Sequence, residues 1–99
     1  MEKKDEVLNF LRQNKQYFRD NYRVTKLGLF GSFARGTNTE DSDIDLIIEL
    51  EEDTKDIYDL KNNLRQFVRE NLGRNVDLTR EKYLKPYAKE KILKEVIYV

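Results

Sequence analysis

Hydrophobic residues recur along this chain first at helical spacing, then in alternation, and the two periods trade places several times. Val7, Leu8, Leu11 and Phe18 repeat at helical intervals with Lys, Arg, Asn and Gln between them, so residues 3–20 are expected to form a helix. The short apolar run KLGLFG, Lys26 to Gly31, reads as a first strand. GSFARGTNTEDS follows with the Gly, Ser, Thr and Asn of a loop built around a helical turn at Ser32–Arg35. DIDLIIEL, Asp43 to Leu50, alternates: Ile44, Leu46, Ile48 and Leu50 take one face, Asp43, Asp45, Ile47 and Glu49 the other. The acidic stretch Glu51–Asp56 reads as a loop that caps the positive end of the next helix.

That helix, residues 56–72, carries the stripe Ile57, Leu60, Leu64, Phe67, Val68, Leu72, and Gly73 follows as a terminator. Asn75 to Thr79 (NVDLT) is a third strand, with Val76 and Leu78 on one face and Asp77 on the other. Residues 86–95 form a last helix with Pro86 in its first turn. The apolar VIYV then ends the chain; Ile97, Tyr98 and Val99 fit either an edge strand of this sheet or a strand offered to a partner. The fold class is therefore α+β: a small mixed β-sheet with helices packed mainly on one side, in one domain spanning residues 1–99.

Composition narrows the chemistry. The 99 residues include 19 Lys+Arg and 19 Asp+Glu, and a net charge of zero argues against autonomous binding to nucleic acid. There is no Cys and no His, which excludes disulfides, zinc fingers, Cys–His pairs and Ser-His-Asp triads. A metal would have to sit on oxygen ligands, which selects Mg²⁺, Mn²⁺ or Ca²⁺. MEKKDEVLNFLRQNK lacks the apolar run of a signal peptide or membrane span, so a cytoplasmic protein is expected.

Asp43 and Asp45 are the most informative pair. Strand alternation aims both carboxylates at one face with their Cα atoms about 6.5–7 Å apart. Left without a cation, they would repel and raise each other's pKa; a hard divalent ion removes that cost. The plainer alternative makes Asp43 a turn cap and Asp45 a solvated residue. Asp77 shifts the balance, because it sits in the same alternation on the third strand. If strands two and three are neighbours, three carboxylates meet and can hold two Mg²⁺ ions about 3.5–4 Å apart, as in-line phosphoryl chemistry uses. Gly31-Ser32, directly after the first strand, offers close backbone approach, amides and a hydroxyl to phosphate oxygens, although a capped strand-to-helix turn would look the same. Arg35 lies one helical turn beyond Ser32, facing either the same phosphates or solvent.

Phe30-Gly31-Ser32, ten intervening residues and Asp43-Ile44-Asp45-Leu46 resemble the signature of the polymerase-β-like nucleotidyltransferase superfamily. GSFARGTNTEDSDIDLIIEL is more similar still to its minimal nucleotidyltransferases (MNT proteins). VDLTREKYLKPYAKEKILKEVIYV resembles the C-terminal part of MntA-type antitoxins paired with HEPN-family RNase toxins. The resemblance covers nearly the whole chain from Lys26 onward.

It implies that Asp43, Asp45 and Asp77 ligate two Mg²⁺ ions, with Mn²⁺ as a substitute, and that Gly31 and Ser32 hold the β/γ-phosphates of ATP. It further implies that Asp77 helps activate an acceptor hydroxyl, and that Arg35 neutralises charge on the leaving pyrophosphate. With no His, the acceptor's proton goes to Asp77, to a bound hydroxide or to the substrate. No segment is long enough for a separate acceptor-binding domain, so the acceptor is expected to be a protein: a Tyr of the cognate HEPN toxin, silenced by AMP groups within a hetero-oligomeric complex. The competing expectations are an antitoxin that acts by binding alone and a transferase for a small-molecule acceptor; an RNA-end transferase is disfavoured by the charge balance. Tyr17, Tyr22, Tyr58, Tyr83 and Tyr87 are expected in the core or at an interface rather than in catalysis.

Overall fold

The computed structural model describes residues 3–99; the first two positions of the expected domain lie outside the described residues. Helices α1 (Lys4–Gln13) and α2 (Lys15–Tyr22) lead into strand β1 (Val24–Phe30), the short helix α3 (Gly31–Arg35) and strand β2 (Ile44–Leu50). Helix α4 (Ile57–Leu72), strand β3 (Val76–Arg80), a 3₁₀ turn (Glu81–Tyr83), helix α5 (Pro86–Glu95) and strand β4 (Ile97–Tyr98) complete the chain. The sheet order is β3-β2-β1-β4. β1 runs antiparallel to both β2 and β4, while β2 and β3 are parallel. A parallel pair needs a long crossover, and α4 supplies it.

The alternation read in the sequence decides which face each strand residue takes. Leu27 and Leu29 of β1, Ile44, Leu46 and Ile48 of β2, and Val76 and Leu78 of β3 form one buried core with Val7, Leu8 and Leu11 of α1, Phe18 of α2, and Leu64 and Val68 of α4. Each of these large side chains removes roughly 1.5–3 kcal/mol worth of apolar surface from water. Phe10, Tyr17, Phe18, Tyr22 and Phe67 extend the core as an aromatic cluster, with Tyr17 stacked on Phe67 at a centroid distance of 4.8 Å. The opposite face carries Asp45, Ile47 and Glu49. Ile47 is buried there apart from the main core, beside Gly28 and the side chains of Val96 and Tyr98.

Residues 3–20 are not one helix. At Asn14 the backbone turns to φ −104° and ψ 8°, and both its backbone N–H and its side-chain Nδ2 donate to the Phe10 carbonyl, at 3.1 and 2.9 Å. An Asn side chain that competes for backbone partners ends one helix and lets the next restart at a new angle. The acidic stretch before α4 forms the expected loop. Asp56 occupies the position before the helix with φ 55°, and its carboxylate makes no capping hydrogen bond.

The C-terminal apolar tail joins this sheet. Ile97 and Tyr98 pair with Leu29 and Gly28, and the Val99 N–H donates to the Leu27 carbonyl at 3.0 Å. Tyr98 Oη donates to Glu81 at 2.6 Å, and Lys26 Nζ contacts the same carboxylate at 3.0 Å. Partial burial and the Glu81 hydrogen bond push the Tyr98 phenol up to about 12. Tyr58, Tyr83 and Tyr87 are each at least 70% exposed and so do not belong to the core; Tyr22 packs against it, while Tyr17 is exposed and meets it through its ring contacts with Phe18 and Phe67.

Candidate functional site

The parallel register places Asp45 directly opposite Asp77. Paired residues on neighbouring strands project from the same side of a sheet, so these two carboxylates share the face away from the main core. Asp43, exposed, immediately precedes β2 and keeps the alternation. The third carboxylate thus lies on the side its strand pattern predicted.

Across the sheet, Phe30 pairs with Asp45, and Gly31 follows at φ +76°. A Cβ on Gly31 would lie 2.1 Å from Asp45 Oδ2. Only glycine accommodates both the left-handed backbone and this approach. The turn that opens α3 is therefore pressed against the carboxylate of β2. Gly36 closes it in the left-handed region, with its N–H on the Phe33 carbonyl and the Thr37 N–H on the Ser32 carbonyl. Ser32 is half-buried at the first turn.

Electrostatics bear out the crowding. The Asp45 carboxyl is pushed up to about 6, first by burial, then by the charges of Asp77 and Asp43; Arg35 opposes the rise and Glu95 adds to it. Among the described residues no three acidic side chains already stand in metal-ligand geometry. Like charges without a cation are expected to stand apart. The all-carboxylate donor set, on opposed positions of adjacent strands, fits a hard divalent ion by its chemistry.

Two further residues bear on this site, and no motif announced either. Arg74, just before β3, donates from Nη1 to the carbonyls of Thr39, Glu40 and Ser42 at 3.2, 2.8 and 3.0 Å, and its guanidinium lies over the Phe33 ring. It ties the loop that delivers Asp43 to the strand that delivers Asp77. Glu95, the last residue of α5, accepts the Gly31 N–H and pairs with Arg35 at 3.0 Å. The Gly31 amide is therefore held by a carboxylate of the chain itself. Local periodicity could not reveal either contact, since both join distant segments. A cavity of about 840 Å³ between α4 and β3 is lined by Asn62, Arg65, Gln66, Arg69, Glu70, Asn75 and Val76, none of them from the carboxylate set. A smaller one of about 270 Å³ includes Asp43, Arg69 and Arg74 in its wall.

The nucleotidyltransferase domain family matches residues 11–99. A Methanocaldococcus jannaschii protein assigned as a candidate protein adenylyltransferase is 38% identical over 95 residues, covering 95% of each chain. The protein adenylyltransferase MntA of Thermococcus cleftensis is 33% identical over 95 residues, covering 96% of this chain and 94% of its own. A solved candidate minimal nucleotidyltransferase superposes with a TM-score of 0.76 at 32% identity, covering 93% of this chain and 92% of the other. The fold recurs, at 18% identity and a TM-score of 0.56, in a chain of the complex between tri-AMPylated Shewanella oneidensis HEPN toxin and MNT antitoxin, covering 96% of this chain and 66% of that one.

Proposed function

The chain belongs to the nucleotidyltransferase domain family, and on that premise we propose that it transfers AMP from ATP to a Tyr hydroxyl of a cognate HEPN-family RNase toxin, releasing pyrophosphate and silencing the toxin. Residues 1–99 act as one minimal transferase domain, and the toxin forms a complex with it. The observation that carries the reading is the parallel register that sets Asp45 against Asp77, with Gly31 pressed on Asp45.

Asp43, Asp45 and Asp77 would hold Mg²⁺. The ions, when bound, would draw charge from the triphosphate and acidify the acceptor hydroxyl. Ser32 offers its hydroxyl and backbone N–H to the β/γ-phosphates. Gly31 shares in holding these phosphates by letting the backbone come close to them, and its missing side chain also lets that turn approach Asp45. Arg35 stabilises charge on the departing pyrophosphate. The acceptor oxygen attacks the α-phosphorus in line, the bond to the bridging oxygen breaks, and Asp77 lies on the face where the acceptor's proton is released.

The test is to incubate the protein with labelled ATP, Mg²⁺ and the toxin encoded beside it. Toxin mass rising in steps of one AMP supports the reading, and Asp43→Asn with Asp45→Asn should abolish transfer while the circular dichroism spectrum stays folded. Neutralisation that survives this double change without label transfer would instead assign an antitoxin that works by binding alone. Label appearing on a small alcohol and never on the toxin would assign a small-molecule acceptor.

A further inference from the structure

Helix α3 has five residues, too short to hold its shape without tertiary support. Part of that support comes from the far end of the chain. Glu95 Oε1 accepts the Gly31 N–H at 3.1 Å and Arg35 Nη1 at 3.2 Å, and its Oε2 accepts the same Nη1 at 3.0 Å. The Glu95 side chain is only 18% exposed, against 47% for Arg35. All three contacts spare Nε and Nη2 of Arg35, leaving one edge of the guanidinium for a phosphate. Glu95 also stands close enough to Asp45 to add to its electrostatic burden. A fourth acidic group beside the carboxylate set is costly unless it does something there.

We propose that Glu95 is a positioning residue for the transfer reaction: it fixes the Gly31 turn and orients Arg35 from the end of α5. This rests on the transferase reading given above. A carboxylate that orients a second charged group in this way is comparable to the outer-shell partners of metal ligands, whose loss lowers activity about 10- to 100-fold. Because α5 runs directly into β4, which pairs with β1 at Gly28 and Leu29, the same C-terminal segment braces the turn and the strand that enters it.

The experiment compares wild type, Glu95→Ala, Glu95→Gln, Arg35→Ala and the double variant Arg35→Ala/Glu95→Ala. It measures Mg²⁺-ATP binding by calorimetry and steady-state AMP transfer to the toxin. Glu95→Ala should lower kcat about 10- to 100-fold with a much smaller change in the KM for ATP. Glu95→Gln, which keeps the shape and an acceptor for the Gly31 N–H, should recover part of the rate and stands in should the Ala variant fail to fold. The double variant should lose less than the product of the two single losses, since Glu95 acts partly through Arg35 and partly through the Gly31 turn. Tighter ATP binding or faster transfer in Glu95→Ala would overturn the proposal, because Glu95 would then be competing with phosphate. Losses that multiply in the double variant would overturn it too. If the wild-type protein itself transfers nothing, the transferase reading is what fails. Amide exchange at Gly31 then decides for Glu95: acceleration in Glu95→Ala upholds its hold on the turn, and no change refutes it.

Discussion

Replacing Asp45 with Asn should make the protein more stable at neutral pH while removing its activity. The Asp45 carboxyl titrates near 6 in the folded chain against an ordinary value of 3.8, through burial and then the charges of Asp77 and Asp43. A gap of roughly two pH units corresponds to about 3 kcal/mol for a fully buried group. Asp45 is only half-buried, so solvent screening reduces this to about 1–2 kcal/mol. The sign follows from proton affinity. The folded state holds the proton more tightly, so the favourable contribution is complete below pH about 4, is lost as pH rises towards 6, and stays lost above it. Asn is neutral throughout. Urea or thermal unfolding in EDTA should therefore show Asp45→Asn about 1–2 kcal/mol more stable than wild type at pH 8, roughly 5–15 °C in Tm for a domain of this size. The two proteins should converge near pH 4. Saturating Mg²⁺-ATP should narrow the gap at pH 8 by stabilising wild type alone. Equal stability at pH 8, or a variant less stable there, would refute the claim that these carboxylates repel one another in the folded chain.

Three other outcomes are expected. Gly31→Ala should cost at least about 2–3 kcal/mol in chemical denaturation, because left-handed strain adds to collision with Asp45, whereas Gly36→Ala, with open space around it, should cost about 1 kcal/mol. Similar values for the two would remove the case for close packing at Gly31. Arg35→Ala should slow transfer more than it weakens ATP binding, and equal losses in both would argue against a role in the transition state. Arg74→Gln should weaken Mg²⁺-nucleotide binding about 10-fold by releasing the loop before Asp43, as loss of an outer support typically does, and unchanged titration isotherms would sink that role.

The strand alternation of residues 44–50 and 76–80 was legible because one face of each strand is buried, and burial enforces a period of two. Asp43, Asp45 and Asp77 could be read as one group for the same reason, once β2 and β3 were taken as neighbours. Helix α5 was equally legible, with Pro86 marking its start. The break at Asn14 was not, since the apolar spacing of Val7, Leu11 and Phe18 runs across it and only the side-chain bond to Phe10 shows where the axis changes. Glu95 and Arg74 escaped because their partners lie on distant segments, at Arg35 and at the loop Thr39–Ser42. The hold of Glu95 on the Gly31 amide was hidden on the same account, since the two residues stand 64 positions apart in the chain.

The parallel pairing of β2 with β3 also has a kinetic consequence. Neither strand meets the other until α4 has crossed over, so closing this pair is a long-range step that brings Asp77 onto Asp45. The chain must overcome that repulsion while it folds, and the barrier should be lowest in mild acid or when a divalent cation is present. Nascent protein in a magnesium-rich compartment would then acquire its shape and its reactive centre in a single event.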